Sequence, residues 1–294
     1  MKNPFATTTE STDPPDETLV RESLAGNRRA LDQLIRRHQP FIYNVAWKMV
    51  HDPNDALDLT QETLLKVVTK LSQFKFNSSF RTWLYRIVTN EFLMTKRRKT
   101  EASFSTFEEY GERLEALPNP ELTREEEIEL EELSEEMRVR CMSGMLMCLT
   151  REQRLIYVLG DSFGVDHNIG AEIFDISPQN FRVKLHRARR DLYNYMNNKC
   201  GLVNKDNPCR CSRKAKAMNN LGLLTTEDRT FTAEYRARIA DYVQEHEADA
   251  RDLFEEKYTR LFRSHPAREQ FGAKTIVEEV IENDDFLEIF EREL

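Results

Sequence analysis

The chain has 294 residues, 39% hydrophobic and 32% charged, which supplies cores for two or three small domains and argues against one compact domain. Its net charge of -8 excludes a uniformly basic surface, but counting along the chain is more informative. Lys and Arg against Asp and Glu number 16 to 11 in residues 1–100, 4 to 14 in 101–148, 13 to 7 in 149–224 and 10 to 19 in 225–294. Two basic blocks, separated and followed by acidic ones, predict two nucleic-acid surfaces with an acidic linker and an acidic tail.

The opening residues MKNPFATTTESTDPPDE carry acids and no apolar run, and nothing later approaches a membrane-spanning length, so we expect neither a signal peptide nor a membrane partner. A cytoplasmic location follows as an expectation, with the five cysteines reduced. Residues 1–16, rich in Thr, Pro and Asp, read as a disordered lead-in. Strand signals are almost absent, and the apolar spacing of Leu31, Leu34, Ile35, then Ile42, Val45, Met49, then Leu57, Leu64, Leu65, Val68, Leu71 predicts an all-α protein. Asp52-Pro53-Asn54 breaks one helix and caps the next. That next helix bears Asp55, Asp58, Gln61 and Glu62 opposite its apolar side, a solvated face or a docking stripe for a basic partner. Phosphates would be repelled by it.

Phe76-Asn77-Ser78-Ser79 breaks the chain again before the helix FRTWLYRIVTNEFLMTKRRK, Phe80 to Lys99. On a helical wheel Trp83, Arg86, Asn90, Met94 and Arg97 share one face, and Leu84, Val88 and Phe92 share another. An aromatic beside an amide and arginines suits single-stranded nucleic acid, because bases stack on rings and phosphates attract guanidinium groups. In the acidic block 101–148, Cys141 and Cys148 lie among Met142, Met145 and Met147 and read as packing.

From Leu149 the pattern is a helix holding Leu155, Ile156, Val158 and Leu159, a short helix holding Ile169, Ala171 and Ile173, a turn at Asp175-Ile176-Ser177, and a helix from Pro178 to Met196. This is helix-turn-helix spacing, with Ser177 as N-cap and Pro178 at the first helical position. Phe181, Leu185, Ala188 and Leu192 form the inner face. Gln179, Arg182, His186 and Arg190 point outward, with Lys184 and Arg187 on the flanks. Gln and Arg side chains can read base edges in the major groove.

The segments DALDLTQETLLKVVTKL (55–71), FNSSFRTWLYRIVTNEFL (76–93), LTREQRLIYVL (149–159) and AEIFDISPQNFRVKLHRARRDL (171–192) resemble bacterial RNA polymerase sigma factors of the extracytoplasmic-function group. The resemblance covers residues 17–199, with the motifs in the family's order. It implies a region-two domain at 17–100 that melts and reads the -10 element, an acidic linker at 101–148, and a region-four helix-turn-helix domain at 149–199 that reads the -35 element. By the same resemblance, Asp55, Asp58, Gln61 and Glu62 meet the clamp helices of the polymerase beta-prime subunit, with the beta subunit as a further contact. Lys75, Phe76, Asn77, Ser78, Ser79, Phe80, Trp83, Arg86 and Asn90 would capture unstacked bases, and Lys96, Arg97, Arg98 and Lys99 would meet duplex phosphates. Ser177, Gln179, Asn180, Arg182, Lys184, His186, Arg187 and Arg190 would contact -35 DNA. The partners implied are core polymerase, double- and single-stranded promoter DNA, and an anti-sigma factor or recruiting protein. The chain departs from the family pattern at three places: Asp175 where Gly is frequent, Gly170 where an apolar residue is usual, and Gln179-Asn180-Phe181 in place of Gly-Thr-Val.

Beyond residue 199 comes a Cys-containing basic connector, 200–224, and an acidic extension, 225–294, with four amphipathic patterns. Cys200, Cys209 and Cys211 in CGLVNKDNPCRC could take zinc with a fourth ligand such as His186, serve as a redox switch, or be incidental thiols. No cofactor is required for promoter recognition. No phosphate loop, HExxH or nucleophile elbow points to an enzyme. The extension reads as regulatory or partner-docking. The competing function is a dimeric helix-turn-helix regulator that is not a sigma subunit, which leaves the acidic stripe and the aromatic-basic helix unused.

Overall fold

The computed structural model of the chain describes residues 14–95 and 106–224. Among these the regular structure is helical, and the β pairing is one isolated parallel bridge between Cys200 and Cys209. The all-α expectation holds. The basic run Lys96 to Lys99 and the four amphipathic patterns of 225–294 lie outside the described residues. The described chain divides into two compact units, residues 14–95 with 158–183 and residues 106–157 with 184–224.

In the first unit α1 (Asp16–Leu24), α2 (Arg28–Val50), α3 (Pro53–Thr69), a 3-10 turn (Leu71–Gln73) and α4 (Phe80–Met94) pack together, and α9 (His167–Phe174) lies against α4. Asn27 caps α2 by accepting from the amides of Arg29 and Ala30 at 3.1 and 3.3 Å. Asp52 caps α3 through the amides of Asn54 and Asp55 at 2.9 and 3.0 Å, with Pro53 at the first position. Leu31, Leu34, Ile35, Ile42, Val45 and Met49 of α2 are buried, as are Leu64 and Val68 of α3 and Leu84, Val88 and Phe92 of α4, and α2 packs on both helices. The helical spacing read from the sequence is the core.

Asp16, grouped with the lead-in by composition, instead opens α1 and is buried. Its carboxylate pairs with Arg37 at 2.7 Å and Arg81 at 2.9 Å, and His38 Nε2 lies 3.3 Å away. Burial alone would raise the Asp16 pKa. The hydrogen bonding and charge of His38, Arg37 and Arg81 outweigh it and hold the carboxyl well below the usual range. One short side chain thus joins α1, α2 and α4.

The second unit holds α5 (Phe107–Ala116), α6 (Arg124–Glu129), α7 (Glu131–Met147), α8 (Arg151–Tyr157), the greater part of α10 (Pro178–Lys199) and α11 (Cys211–Asn220). Although charge assigned 101–148 to a linker, α7 is a core helix. Met142, Met145, Leu146 and Met147 pack with Tyr157, Ala188, Leu192 and Met196, and Leu133 and Met137 pack with Ala215 and Leu224. Gly144 admits the ring of Tyr110, whose Oη would stand 2.6 Å from a β-carbon there. Arg154, 2% exposed, donates to the carbonyls of Leu146, Met147 and Leu149, satisfying the open C-terminal end of α7.

Candidate nucleic-acid interface

Ser79 starts α4 by accepting from the Thr82 amide at 3.1 Å, which fixes the phase of the helix. Leu84, Tyr85, Val88 and Phe92 then point into the core, while Arg86, Asn90 and Met94 are exposed and Trp83 is half-buried. The Trp83 ring rests 5.4 Å from Phe74 and 5.7 Å from Phe80, centroid to centroid. A half-buried indole braced by two rings has the chemistry to stack with a base on the surface it leaves exposed.

Phe80 does not share that role. It is 1% exposed and makes an edge contact with His38 at 5.5 Å, so it offers no face to a nucleotide and serves as a wall behind Trp83. The sequence suggested otherwise because periodicity does not reveal that Phe74 and α2 cover the first turn.

The loop before α4 carries the sharpest backbone feature of the site. Phe76 has φ 56°, a left-handed conformation unusual for a bulky side chain. Its ring is 4.6 Å from Phe74, and the Arg21 guanidinium sits 4.0 Å over it. Such strain persists where surrounding contacts over-determine it, often at ligand-binding positions. Lys75, Asn77, Ser78 and Ser79 are exposed around it. Arg21 was not legible as a site residue, since its partner lies far along the chain.

Arg86 is exposed yet engaged: its Nε and Nη2 donate to the Glu172 carbonyl in the last turn of α9, at 3.1 and 2.6 Å. A cation at a helix C-terminus is favoured by the local dipole. On α3, Asp58 and Glu62 are exposed and Asp55 and Gln61 half-buried, opposite the buried Leu59 and Thr63.

In the helix-turn-helix, α9 ends at Asp175 in the left-handed conformation, φ 53° and ψ 47°, which an Asp tolerates better than most residues. Ser177 Oγ accepts from the Asn180 amide at 3.2 Å, the expected cap of α10. Gln179, Asn180, Arg182, His186, Arg187 and Arg190 are exposed, while Phe181, Ala188 and Leu192 are buried. Arg182 bonds Gln179 at 3.1 Å and approaches His167 Nε2 at 3.3 Å, so α9 helps orient it. Lys184 differs from the expectation of an open phosphate contact: its ammonium is paired with Glu152 at 2.8 Å.

The three clustered cysteines do come together, but with a different fourth neighbour. Cys200, Cys209 and Cys211 line one cavity with Cys141 of α7. His186 stands fourteen positions before Cys200 on α10, about 21 Å along a straight helix, and is absent from that lining. Among the described residues, no group of three or more His, Cys, Asp or Glu side chains is already gathered tightly enough to hold a metal ion. Among them, too, no helix is long and apolar enough to cross a membrane.

Residues 34–102 match the family Sigma-70 region 2. The chain is 30% identical over 193 residues to the ECF RNA polymerase sigma factor SigE of Mycolicibacterium smegmatis, covering 64% of this chain and 70% of that one. It is 28% identical to the RNA polymerase sigma factor YlaC of Bacillus subtilis, over 56% of this chain and 91% of YlaC. It is also 28% identical to the ECF RNA polymerase sigma-E factor of Escherichia coli strain K12, over 61% and 93% of the two chains. A solved structure of CnrH in complex with the cytosolic domain of CnrY is similar at 23% identity and a TM-score of 0.45, covering 62% of this chain and 97% of that chain.

Proposed function

Because the chain belongs to the ECF group of RNA polymerase sigma factors, we propose that α4 and the loop before it hold unpaired promoter bases, that the acids of α3 dock on core polymerase, and that α10 reads the upstream element. Core polymerase and promoter DNA are the partners of a sigma factor, and promoter recognition is its function. The roles of individual residues rest on chemistry. The carrying observation is the half-buried Trp83, backed by Phe74 and Phe80 and followed on the same face by Arg86 and Asn90.

In this reading Trp83 and the strained Phe76 loop accept bases that leave the stack, and Lys75, Asn77, Ser78 and Ser79 supply polar contacts to them. Lys96, Arg97, Arg98 and Lys99, next in sequence, supply cations for duplex phosphates. Asp58 and Glu62, with Asp55 and Gln61 beside them, meet basic residues of the polymerase clamp. Gln179, Asn180, Arg182, His186, Arg187 and Arg190 contact -35 DNA, with Ser177 shaping the turn. The protein acts where core polymerase is, in the cytoplasm. Residues 225–294 serve as a regulatory or partner-docking extension, open to an anti-sigma factor or a recruiting protein. Truncation after Leu224 tests this without severing α11; unchanged promoter activity and partner range would remove the idea.

The deciding experiment reconstitutes the full chain with core polymerase and genomic promoter fragments. Run-off transcription, with permanganate reactivity of unpaired thymines, should appear only when the chain is added. Charge reversal of Asp58 and Glu62 should abolish co-purification with core polymerase. A chain that binds DNA but never core polymerase would return the reading to a conventional regulator.

A further inference from the structure

Four of the five cysteines face one cavity, although one of them is remote in sequence. The cavity measures about 20 Å³ and is lined by Cys141, Cys200, Cys209 and Cys211, with Met137 and Tyr195 among the remaining walls. That volume admits one water-sized occupant. The fifth thiol, Cys148, bonds the Gly144 carbonyl at 3.4 Å and is not in the lining.

The backbone gathers these thiols by identifiable means. Cys200 and Cys209 are partners in the isolated parallel bridge. Gly201 permits that approach, because a β-carbon there would collide with the Cys209 carbonyl and the Arg210 guanidinium. Arg210 is extended, φ -129° and ψ 130°, which turns Cys209 and Cys211 to the same side. Cys141 arrives from α7, whose packing against α11 fixes its height.

Two further observations concern charge. The Val203 amide donates to the Cys200 carbonyl at 3.3 Å, and the backbone amides of Leu202 and Val203 beside Cys200 favour its thiolate. Arg138, 8% exposed, pairs with Glu135 yet leaves Nη1 buried without a hydrogen-bond partner, and its charge is felt by Cys200 and Cys211. Lys214 and Arg210 flank Cys209. Burial raises all four thiols, and the charge of neighbouring thiols adds to it at Cys141, Cys209 and Cys211, the last reaching about 12. A divalent cation among them inverts that balance.

We propose that Cys141, Cys200, Cys209 and Cys211 bind one zinc ion as a four-thiolate site that pins α7, the end of α10 and the start of α11 together. The thiols release their protons as they ligate, and the resulting doubly negative centre is offset by Arg138, Arg210 and Lys214. As the side chains stand, no group of three or more His, Cys, Asp or Glu among the described residues is placed to hold a metal ion, so binding requires the four sulfur atoms to turn inward.

The full-length protein, purified without chelator, should carry about one zinc per chain by elemental analysis. Cobalt(II) added to the stripped protein should give the visible bands and near-ultraviolet sulfur charge transfer of tetrahedral thiolate ligation. Cys148→Ser should keep full zinc. Cys141→Ser, outside the CGLVNKDNPCRC stretch, should lose most of it, as should Cys209→Ser. Should these variants fail to fold, the wild type still decides: with zinc, four of five thiols should resist a thiol reagent, and a chelator should expose them. Zinc well below one per chain after zinc loading, equal loss in Cys148→Ser and Cys141→Ser, or thiol reactivity indifferent to zinc would each overturn the site. None of these readings depends on transcription, so failure here leaves the sigma assignment intact.

Discussion

The ring of Phe181 lies so close over Gly170 that a β-carbon on Gly170 would stand 2.5 Å from Phe181 Cζ. Two of the positions read as departures from the family pattern are therefore in contact: the ring at 181 occupies the space that a side chain at 170 would need. Gly170→Ala should destabilise the helix-turn-helix by about 1–3 kcal/mol despite the better helix propensity of Ala. Adding Phe181→Val should recover much of that loss. Chemical denaturation of the two single variants and the double variant measures the coupling, and strict additivity would refute it.

Phe80 and Trp83 should separate stability from melting. Phe80→Ala removes a fully buried ring and should cost about 3–5 kcal/mol of stability. Trp83→Ala, at a half-buried position, should fold and bind core polymerase but reduce open-complex formation by about 5- to 150-fold, the equivalent of one stacked base. Trp83→Phe should retain most of the activity. Potassium permanganate footprinting alongside a core-binding assay reads both effects, and parallel loss of binding and melting in Trp83→Ala would count against the platform.

Asp16→Asn should lower stability at neutral pH by about 3 kcal/mol, since it leaves Arg37 and Arg81 without their buried partner. The folded-state pKa of Asp16 is depressed, so its contribution is complete above the unfolded value near 3.8 and is lost as pH falls through the folded value. The gap between wild type and Asp16→Asn in denaturant midpoints should hold from pH 7 to pH 5 and narrow in stronger acid. A gap independent of acid would mean that Asp16 acts by shape alone.

Lys48, 2% exposed on α2, has the opposite sign. Burial pushes its ammonium from 10.5 down to about 7. Between those values the unfolded chain holds a proton that the folded chain has released, so stability rises with pH across that window. Lys48→Met should therefore raise stability at pH 7 by on the order of 2–4 kcal/mol and flatten the pH dependence between 7 and 10. Thermal melts at several pH values check both. A destabilised variant at pH 7 would show that the amine makes contacts worth more than its desolvation costs.

What the sequence disclosed was what local rules govern. The two faces of α4, the caps at Asp52 and Ser177, and the left-handed Asp175 each follow from a few neighbouring residues. What it concealed depends on distant chain. α7 reads as linker because glutamates dominate a charge count over 101–148, yet Glu135 and Glu136 are themselves buried and so are the helix's own Met137, Met142, Met145 and Met147. Phe80 reads as a platform because Phe74 and His38, which cover it, sit on other elements. Cys141 reads as packing because nothing in its own segment announces the three thiols that arrive some sixty residues later.

The bond from Arg86 to the carbonyl of Glu172 sets a competition. The guanidinium edge that grips α9 is the same two-pronged edge that a phosphate or a guanine would take. A nucleotide that claims it must release the last turn of α9 and leave that carbonyl to water. If promoter DNA takes Arg86, opening the duplex and freeing the helix before the proposed recognition helix become chemically linked through that one side chain.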